Sequence, residues 1–490
     1  MNTAQYDIVL TGGRVIDGTG APARAADVAL QGDRIAAIGV PGSLSARERV
    51  DATGKVVAPG FIDVHTHDDN ALLRIPDMTM KVSQGVTTVV VGNCGVSLAP
   101  LSPRRNPPPP LDLLGDGGEY RFATFGDYLK ALDDEPAATN AACLVGHTTL
   151  RVGAMDRLDR AATRDEIKAM SARLDEALGA GAIGMSTGLY YPPAQHAPTS
   201  EVIELAYVVR AHDAIHTTHM RDENDRVMDS LEETFRIGRE AQVPVVISHH
   251  KVTGTRNFGR TRETLAAIDA ARRSQPIAID VYPYIASSTI LKVEWIGIAR
   301  RVIVTWSKAI PEAGGRDLAD IARDMGVEPA EAARRLLPAG AIYFTMDEAD
   351  VQRVLSWPEA MIGSDGLPHD IHPHPRLWGT FPRVLGHYSR DLKLFSLEEA
   401  VRRMTSLTAE RFGLKGRGVV REGAAADLVV FDPDRVIDRA TFEHPKSPAA
   451  GIDLVLVNGE PVWRDGASTG KRPGRALRRA WHSQLHQRRA

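Results

Sequence analysis

From Pro59 to Asn70 the chain reads Pro-Gly-Phe-Ile-Asp-Val-His-Thr-His-Asp-Asp-Asn, and no other stretch limits the fold so strongly. An apolar run of strand length leads straight into a His-x-His pair. Residues two apart in a strand share a face, so His65 and His67 are expected to aim both imidazoles at one point. Imidazole is the commonest protein ligand for a metal. Two strand-end histidines alone are equally compatible with a purely structural role, and the decision falls to the rest of the chain.

Downstream, apolar strand candidates alternate with helical segments, the pattern of a parallel sheet. Eight candidates end near His67, Cys94, His147, Thr187, His219, His249, Tyr282 and Asp365. Helical segments are predicted over Arg164–Leu178, Val227–Ala241 and Arg262–Arg273. Eight β/α units predict a closed, TIM-like (β/α)8 barrel. An open doubly wound sheet would place a glycine-rich phosphate loop after its first strand, and the sequence has none there. Tyr282 and Asp365 are 83 residues apart, against 30 between His219 and His249. The excess predicts an inserted subdomain after strand seven, roughly residues 290–345, on the active-site side. Pro107–Pro110 predicts an extended surface loop after strand two. Short β runs broken by Gly and Asp before residue 58 return as Asp427–Phe431 and Leu454–Gly459. Both chain ends are therefore expected to build one small β-sandwich. The expected division is 1–58 and 415–480 for the sandwich, 59–414 for the catalytic barrel and 481–490 for a tail.

Metal-binding side chains gather at the predicted C-terminal strand ends: His65 and His67 on strand one, Cys94 on two, His219 on five, His249 or His250 on six, and Asp365 on eight. Active sites of β/α barrels lie at that face, drawn from several strands. A lone cysteine or histidine is usually a core residue; six such residues at one face point to a metal centre. Thiolate and imidazole select zinc over magnesium or calcium. A catalytic zinc keeps one position for water and lowers its pKa towards about 7, supplying hydroxide at neutral pH. Asp365 is expected to take the proton from that water and pass it to a leaving group. These parts suit hydrolysis of an amide, an ester or a cyclic amide.

The chain's 490 residues, 43% apolar and 25% charged, match a soluble globular enzyme of more than one domain. With 59 basic and 62 acidic residues the formal net charge is −3, which gives no reason to expect nucleic acid or an anionic membrane as partner. No apolar run is long enough to span a bilayer, the first residues lack the features of a signal peptide, and two cysteines imply no disulfide framework. A cytoplasmic location is the expectation. No Walker or redox-cofactor motif is present, so phosphoryl transfer and redox chemistry lack support.

The motifs Pro59–Asn70, Gly92-Asn93-Cys94-Gly95, Thr218–Glu223, Ile247–Lys251, Gly363–His369 and His374–Arg383 resemble those of the amidohydrolase superfamily, and within it the D-aminoacylase group, the N-acyl-D-amino-acid deacylases. The likeness runs nearly end to end. It implies that Cys94, His219 and His249 hold one tight zinc. His65 and His67 would form a second, weakly occupied site, with Cys94 as bridge. Many amidohydrolases bridge two metals with a carboxylated lysine on strand four. The segment Ile183–Gly188 has no lysine, a departure from the hydantoinase and dihydroorotase pattern that fits a cysteine-bridged subgroup. Spacing leaves His249 and His250 open, and the resemblance favours His249.

The same resemblance implies that Lys251, Tyr191 and Arg376 hold the substrate carboxylate. Lysine and arginine suit that task because they donate charge-assisted bonds, arginine bidentately. Tyr343 and Met346 are expected to line the side-chain pocket. Glu294 followed by Trp295 after strand seven opposes a second carboxylate and offers an apolar face, so hydrophobic D-side chains are the expected substrates. Alternatives are an N-acyl-D-glutamate or N-acyl-D-aspartate deacylase and a hydantoinase-like cyclic-amide hydrolase. A catalytically silent scaffold is disfavoured, because such a chain is expected to lose ligands and this one keeps them. The D preference rests on the resemblance alone.

Overall fold

The computed structural model describes residues 6–103, 106–115 and 117–479; the tail expected at 481–490 lies outside them. Eight parallel strands form the barrel path of the central sheet: β1 (Phe61–Asp63), β2 (Val86–Val91), β3 (Asn140–Gly146), β4 (Gly184–Gly188), β5 (Ile215–His219), β6 (Val245–Ile247), β7 (Ile277–Val281) and β8 (Ala360–Ile362), and a ninth short strand, Ala476–Leu477, pairs with β3 off that path. Each is buried along its whole length, as strands covered on both faces must be. Ile62, Val90, Leu144, Ile215, Val246 and Met361 pack into one cluster that fills the barrel, together with Leu407, Phe412 and Leu414. The alternate residues of the same strands, such as Val89, Val145 and Ile247, pack outward against the helices. Helices occupy Arg164–Ala180, Val227–Ala241 and Thr261–Arg272. The first begins in a capping box, with Thr163 and Glu166 each closing the other's backbone N–H.

The ladder runs without interruption from β1 in order to β7 and then β8. Between β8 and β1 the described residues form no regular ladder. Closure rests on a single parallel bridge, Thr66 to Gly366, on Asp365 N donating to His65 O at 2.8 Å, and on a long bond from Val64 N to Ile362 O at 3.5 Å. A buried cation stitches the same seam. Lys81 is fully enclosed and donates to Asp63 Oδ2 at 2.8 Å and Ser364 Oγ at 2.9 Å. Its ammonium also lies 3.2 Å from Asp68 Oδ2. Asp63 Oδ1 in turn accepts from Ser364 N at 2.7 Å.

Strands from both chain ends share sheets outside the barrel. Leu428–Phe431 pairs antiparallel with Val56–Pro59 on one side and with Ile452–Val457 on the other. Leu10, Val28, Val57, Leu428 and Leu456 meet in one apolar cluster. After β7 the chain leaves the barrel for a three-stranded antiparallel sheet, Ala286–Ile290, Ala339–Phe344 and Val302–Ser307 in that order. The proline run departs in part from its predicted form: Pro109 is exposed and Pro108 half-buried, as a surface loop would be. Pro107 and Pro110 are buried rather than at the surface, and they lead into the 3-10 turn Leu111–Leu114. The apolar leucines of that turn draw the segment onto the barrel mouth. No helix among the described residues is long and apolar enough to cross a membrane.

Candidate metal centre

The ladders stop short of the chemistry. His65, His67, Cys94, His249 and Asp365 follow the last residues of their strands instead of lying on them, so strand alternation does not orient them as the sequence suggested. Backbone conformation does. Cys94, His249 and Asp365 have φ of +54°, +37° and +50°. For residues with a Cβ such left-handed geometry costs about 1–3 kcal/mol and is retained where function needs it. Along β6, Val246 faces the barrel interior, and plain alternation would bring His250 inward. The turn at His249 reverses this. His249 enters the site, while His250 Nε2 meets Thr264 Oγ1 at 2.8 Å on the helix outside.

The Cys94 loop is held by the strands beside it. Ser186 of β4 accepts from Gly95 N at 2.9 Å and donates to Gly92 O. A Cβ on Gly188 would stand 2.1 Å from Cys94 O, so glycine there is required for the loop to pack.

Around the loop the donors converge. Cys94 Sγ lies 3.2 Å from His65 Nε2 and 3.3 Å from His249 Nε2. Asp365 Oδ1 lies 3.2 Å from His67 Nε2 and 3.5 Å from His65 Nε2. Donor atoms of His65, Cys94, His249 and Asp365 all fall within 4.8 Å of one another, as do those of His219, Glu223 and His249. His249 therefore belongs to two overlapping groups, and Glu223 joins His219 in a way the sequence did not suggest. Burial alone would keep the Cys94 thiol protonated, but the His65 and His249 imidazoles outweigh it and hold the thiol well below its ordinary range. Burial likewise opposes a charged His67, yet Asp365 and Cys94 raise that imidazole to about 9. Nδ1 of His67 and of His219 is buried without a hydrogen-bond partner. A thiolate, imidazoles and a carboxylate closing on one point fit a borderline-soft divalent cation such as zinc.

Carboxylates behind the imidazoles orient them, as metal sites generally require. Asp280 on β7 places Oδ2 3.3 Å from His65 Nδ1 and accepts His249 N at 2.8 Å. Glu223 Oε1 stands 3.0 Å from His249 Nδ1. Both escaped the sequence reading. A charged residue inside the apolar run Ile277–Val281 was the available signal for Asp280. For Glu223 it was the four-residue step from His219 within an already notable motif. Nothing in the sequence singles out Lys81.

The cleft above the cluster is lined by His67, Tyr190, Tyr191, Lys251, Trp295 and Asp365, among others. Arg376 is fully buried behind it, with Nη1 2.9 Å from Asp365 Oδ2 and a partnerless Nε. Burial opposes the Asp365 charge, and Arg376 outweighs it, so the carboxyl sits well below its usual range. Lys251 faces the cleft, but its ammonium is engaged by Glu223 Oε2 at 2.7 Å and by His249 Nδ1 at 2.9 Å. Tyr191 OH lies 3.3 Å from Thr289 Oγ1. Two expected pocket residues do not line the cleft. Tyr343 is buried behind Trp295, its hydroxyl bonded to Lys292 N and Ile290 O at 2.7 and 3.2 Å. Met346 packs with Tyr284 and Val351 on the far side of the His249–Lys251 segment. Both serve core packing, and the aromatic wall is Tyr190, stacked on His219, with Trp295 beside it.

A model of the amidohydrolase family matches residues 48–271 and 191–463. The chain is 60% identical to a D-aminoacylase of Alcaligenes xylosoxydans xylosoxydans, over 97% of this chain and 98% of the relative. A solved D-aminoacylase with a binuclear metal centre superimposes with a TM-score of 0.94 at 60% identity, covering 97% of this chain and all of that one. The N-acyl-D-glutamate deacylase of Bordetella bronchiseptica, solved with zinc and a phosphonate mimic of the tetrahedral intermediate, gives 0.94 at 50% identity over the same shares. An L-hydantoinase of Arthrobacter aurescens, 16% identical over 97% of this chain and all of that one, shares the fold with a TM-score of 0.62.

Proposed function

The chain belongs to the amidohydrolase family, in its D-aminoacylase group, and on that premise we propose that it is a metal-dependent hydrolase that deacylates N-acyl-D-amino acids. The observation that carries this reading is a buried thiolate–imidazole–carboxylate cluster opening into a cleft with Lys251 and Arg376 at its side. Cys94, His219 and His249 would hold one zinc tightly, and His65 and His67 beside them a second more weakly. Bound there, zinc supplies Lewis acidity, polarising the amide carbonyl and acidifying water. Arg376, Tyr191 and Lys251 receive the substrate carboxylate, and the partnerless Arg376 Nε is a donor in waiting. Asp365, held between His67 and Arg376, takes a proton from water and delivers it to the amide nitrogen, which leaves as the free amine.

Hydrophobic D-side chains suit the Tyr190–Trp295 wall. Of the nearby arginines, Arg301 already donates to Asp317 at 2.8 Å, and Arg300 lies over the Phe258 ring at 4.5 Å. One observation favours acidic D-substrates. The Lys292 ammonium stands 3.6 Å from the centre of the Tyr190 ring, although burial lowers its pKa to about 8. A cyclic-amide activity has only fold-level likeness behind it. The test is kcat/KM on one zinc-loaded preparation for N-acetyl-D-methionine, N-acetyl-D-glutamate, N-acetyl-L-methionine and a hydantoin. The D-methionine substrate is expected to lead by at least about tenfold, the worth of one matched apolar group. A lead for the glutamate substrate would transfer the pocket to acidic side chains; a lead for the L-substrate or the hydantoin would overturn the reading.

A further inference from the structure

A second, larger cavity of about 790 Å³ lies beside the catalytic cleft. Its volume is within the roughly 300–1,000 Å³ of ordinary small-molecule sites. Three chain segments contribute to both spaces in succession. Leu113 reaches the cleft while Pro108 and Pro109 line the outer cavity. Tyr190 and Tyr191 line the cleft, and the next two residues, Pro192 and Pro193, line the cavity. In the inserted segment Ser287–Thr289 and Trp295 face the cleft, and the five residues between them, Ile290–Glu294, face the cavity. The two spaces thus share walls, and Lys292 over the Tyr190 ring stands at the neck between them.

Their chemistries differ. The cleft gathers the metal-binding side chains with Lys251, whereas the cavity is mostly apolar, presenting prolines with Leu158, Ile290, Leu291, Val293 and Leu337, and carries Asp159, Gln195, His196, Lys292 and Glu294 among them. An N-acyl-D-amino acid has its carboxylate and side chain on one carbon and its acyl group across the scissile carbonyl from them. Lys251 and Arg376, which receive the carboxylate, both lie against the Tyr282 ring, at 5.7 and 4.5 Å, beside β7. The outer cavity is lined by residues 158–159 after β3 and by Pro192 and Pro193 after β4, together with Ile290–Glu294 of the inserted segment. With the carboxylate held near β7 and the carbonyl at the metal cluster, the acyl arm is the part directed across the mouth.

We propose that this outer cavity is an acyl-chain subsite, and that the enzyme takes N-acyl-D-amino acids whose acyl group is an aliphatic chain longer than acetyl. This rests on the deacylase reading above and names the substrate class of the same site. Each methylene fully buried there is worth up to about fourfold in affinity, and the loss of chain freedom takes back part of that gain.

The experiment measures kcat/KM of the zinc-loaded enzyme for N-acetyl-, N-butanoyl-, N-hexanoyl- and N-octanoyl-D-methionine, at concentrations below micelle formation. The readout is the octanoyl-to-acetyl ratio. It is expected to be at least about tenfold, arising mainly in KM, and to collapse towards one in Leu158→Asp and in Val293→Asp, which put a charge on the cavity wall. Leu158 lies in a half-buried loop, so that variant is expected to fold even if the other does not. A parallel series holds the acyl group at acetyl and lengthens the D-side chain. A ratio near one in the parent enzyme, an unchanged ratio in both variants, or loss of gain confined to the side-chain series would overturn the subsite. Absence of hydrolysis for every N-acyl-D-methionine would instead overturn the deacylase reading.

Discussion

Cys94 has two tasks, and they belong to different atoms. Its left-handed backbone points the side chain back into the barrel mouth, and its sulfur meets two imidazoles there. Cys94→Ala keeps the turn tolerable but removes the soft ligand, so zinc content after dialysis is expected to fall well below one equivalent, measured by atomic emission. Stoichiometric zinc with normal turnover in that variant would refute the ligand assignment. Asp365→Asn keeps shape and removes the proton acceptor. Its kcat is expected to fall about 10²–10⁴-fold while zinc remains bound. Zinc and activity lost together would make Asp365 a structural ligand instead. The sequence offered the residues of this cluster because metal ligands must be particular side chains. It did not offer Glu223 or Asp280, because carboxylates are common and only their placement behind His249 and His65 marks them.

At the scale of elements the weak line of the barrel is the seam between β8 and β1, and the metal cluster sits across it. Strands elsewhere are joined by ladders; here backbone pairing is sparse and side chains take over. Lys81 reaches Asp63, Asp68 and Ser364, which flank His65, His67 and Asp365 in the chain. Lys81→Met would leave Asp63 and Asp68 buried without their cation. Breaking one side of a buried ion pair costs about 3–5 kcal/mol, so a clear drop in the denaturation midpoint is expected. Because the seam carries Asp365 against His67, kcat should fall more than KM rises. Lys81→Met combined with Asp68→Asn should recover part of the stability. A variant with unchanged midpoint and unchanged kcat would show that the backbone contacts between the two strands close the seam without Lys81. Helices and strand order were legible from apolar periodicity, since burial follows pattern. The open seam was not, because an unpaired edge has no compositional mark.

Over the whole molecule, buried charges join the βα units to one another. Glu201, on the helix Thr199–Ala211, meets His147 Nε2 at 3.0 Å, pairs with Arg151 and accepts Ala162 N at 3.1 Å. Burial opposes its charge, but His147 and Arg151 prevail and bring the carboxyl down to about 2 from 4.5. A carboxyl depressed on folding stabilises the native state above its unfolded pKa and loses that contribution as pH falls towards the folded value. The stabilisation by Glu201 is therefore complete above about pH 4.5 and declines towards pH 2. The melting-temperature gap between the parent and Glu201→Gln is expected to be widest near pH 6 and to narrow by pH 3; a gap that widens with acid would contradict the pairing. What the sequence by itself determined is the barrel class and a set of metal-capable side chains from His65 to Asp365, because strand and helix periods and the chemistry of thiolate and imidazole are local properties of residues. What only the tertiary structure decided is which of those residues meet. Spacing along β6 left His249 and His250 open, and a φ of +37° at His249 turns that side chain into the site while His250 packs outward. Tyr343 and Met346 looked like pocket residues and became core, while Tyr190 and Trp295 became the wall. Such outcomes depend on strained turns held by packing from distant strands, as Gly188 of β4 admits the Cys94 loop, and a chain read in one dimension has no term for that contact.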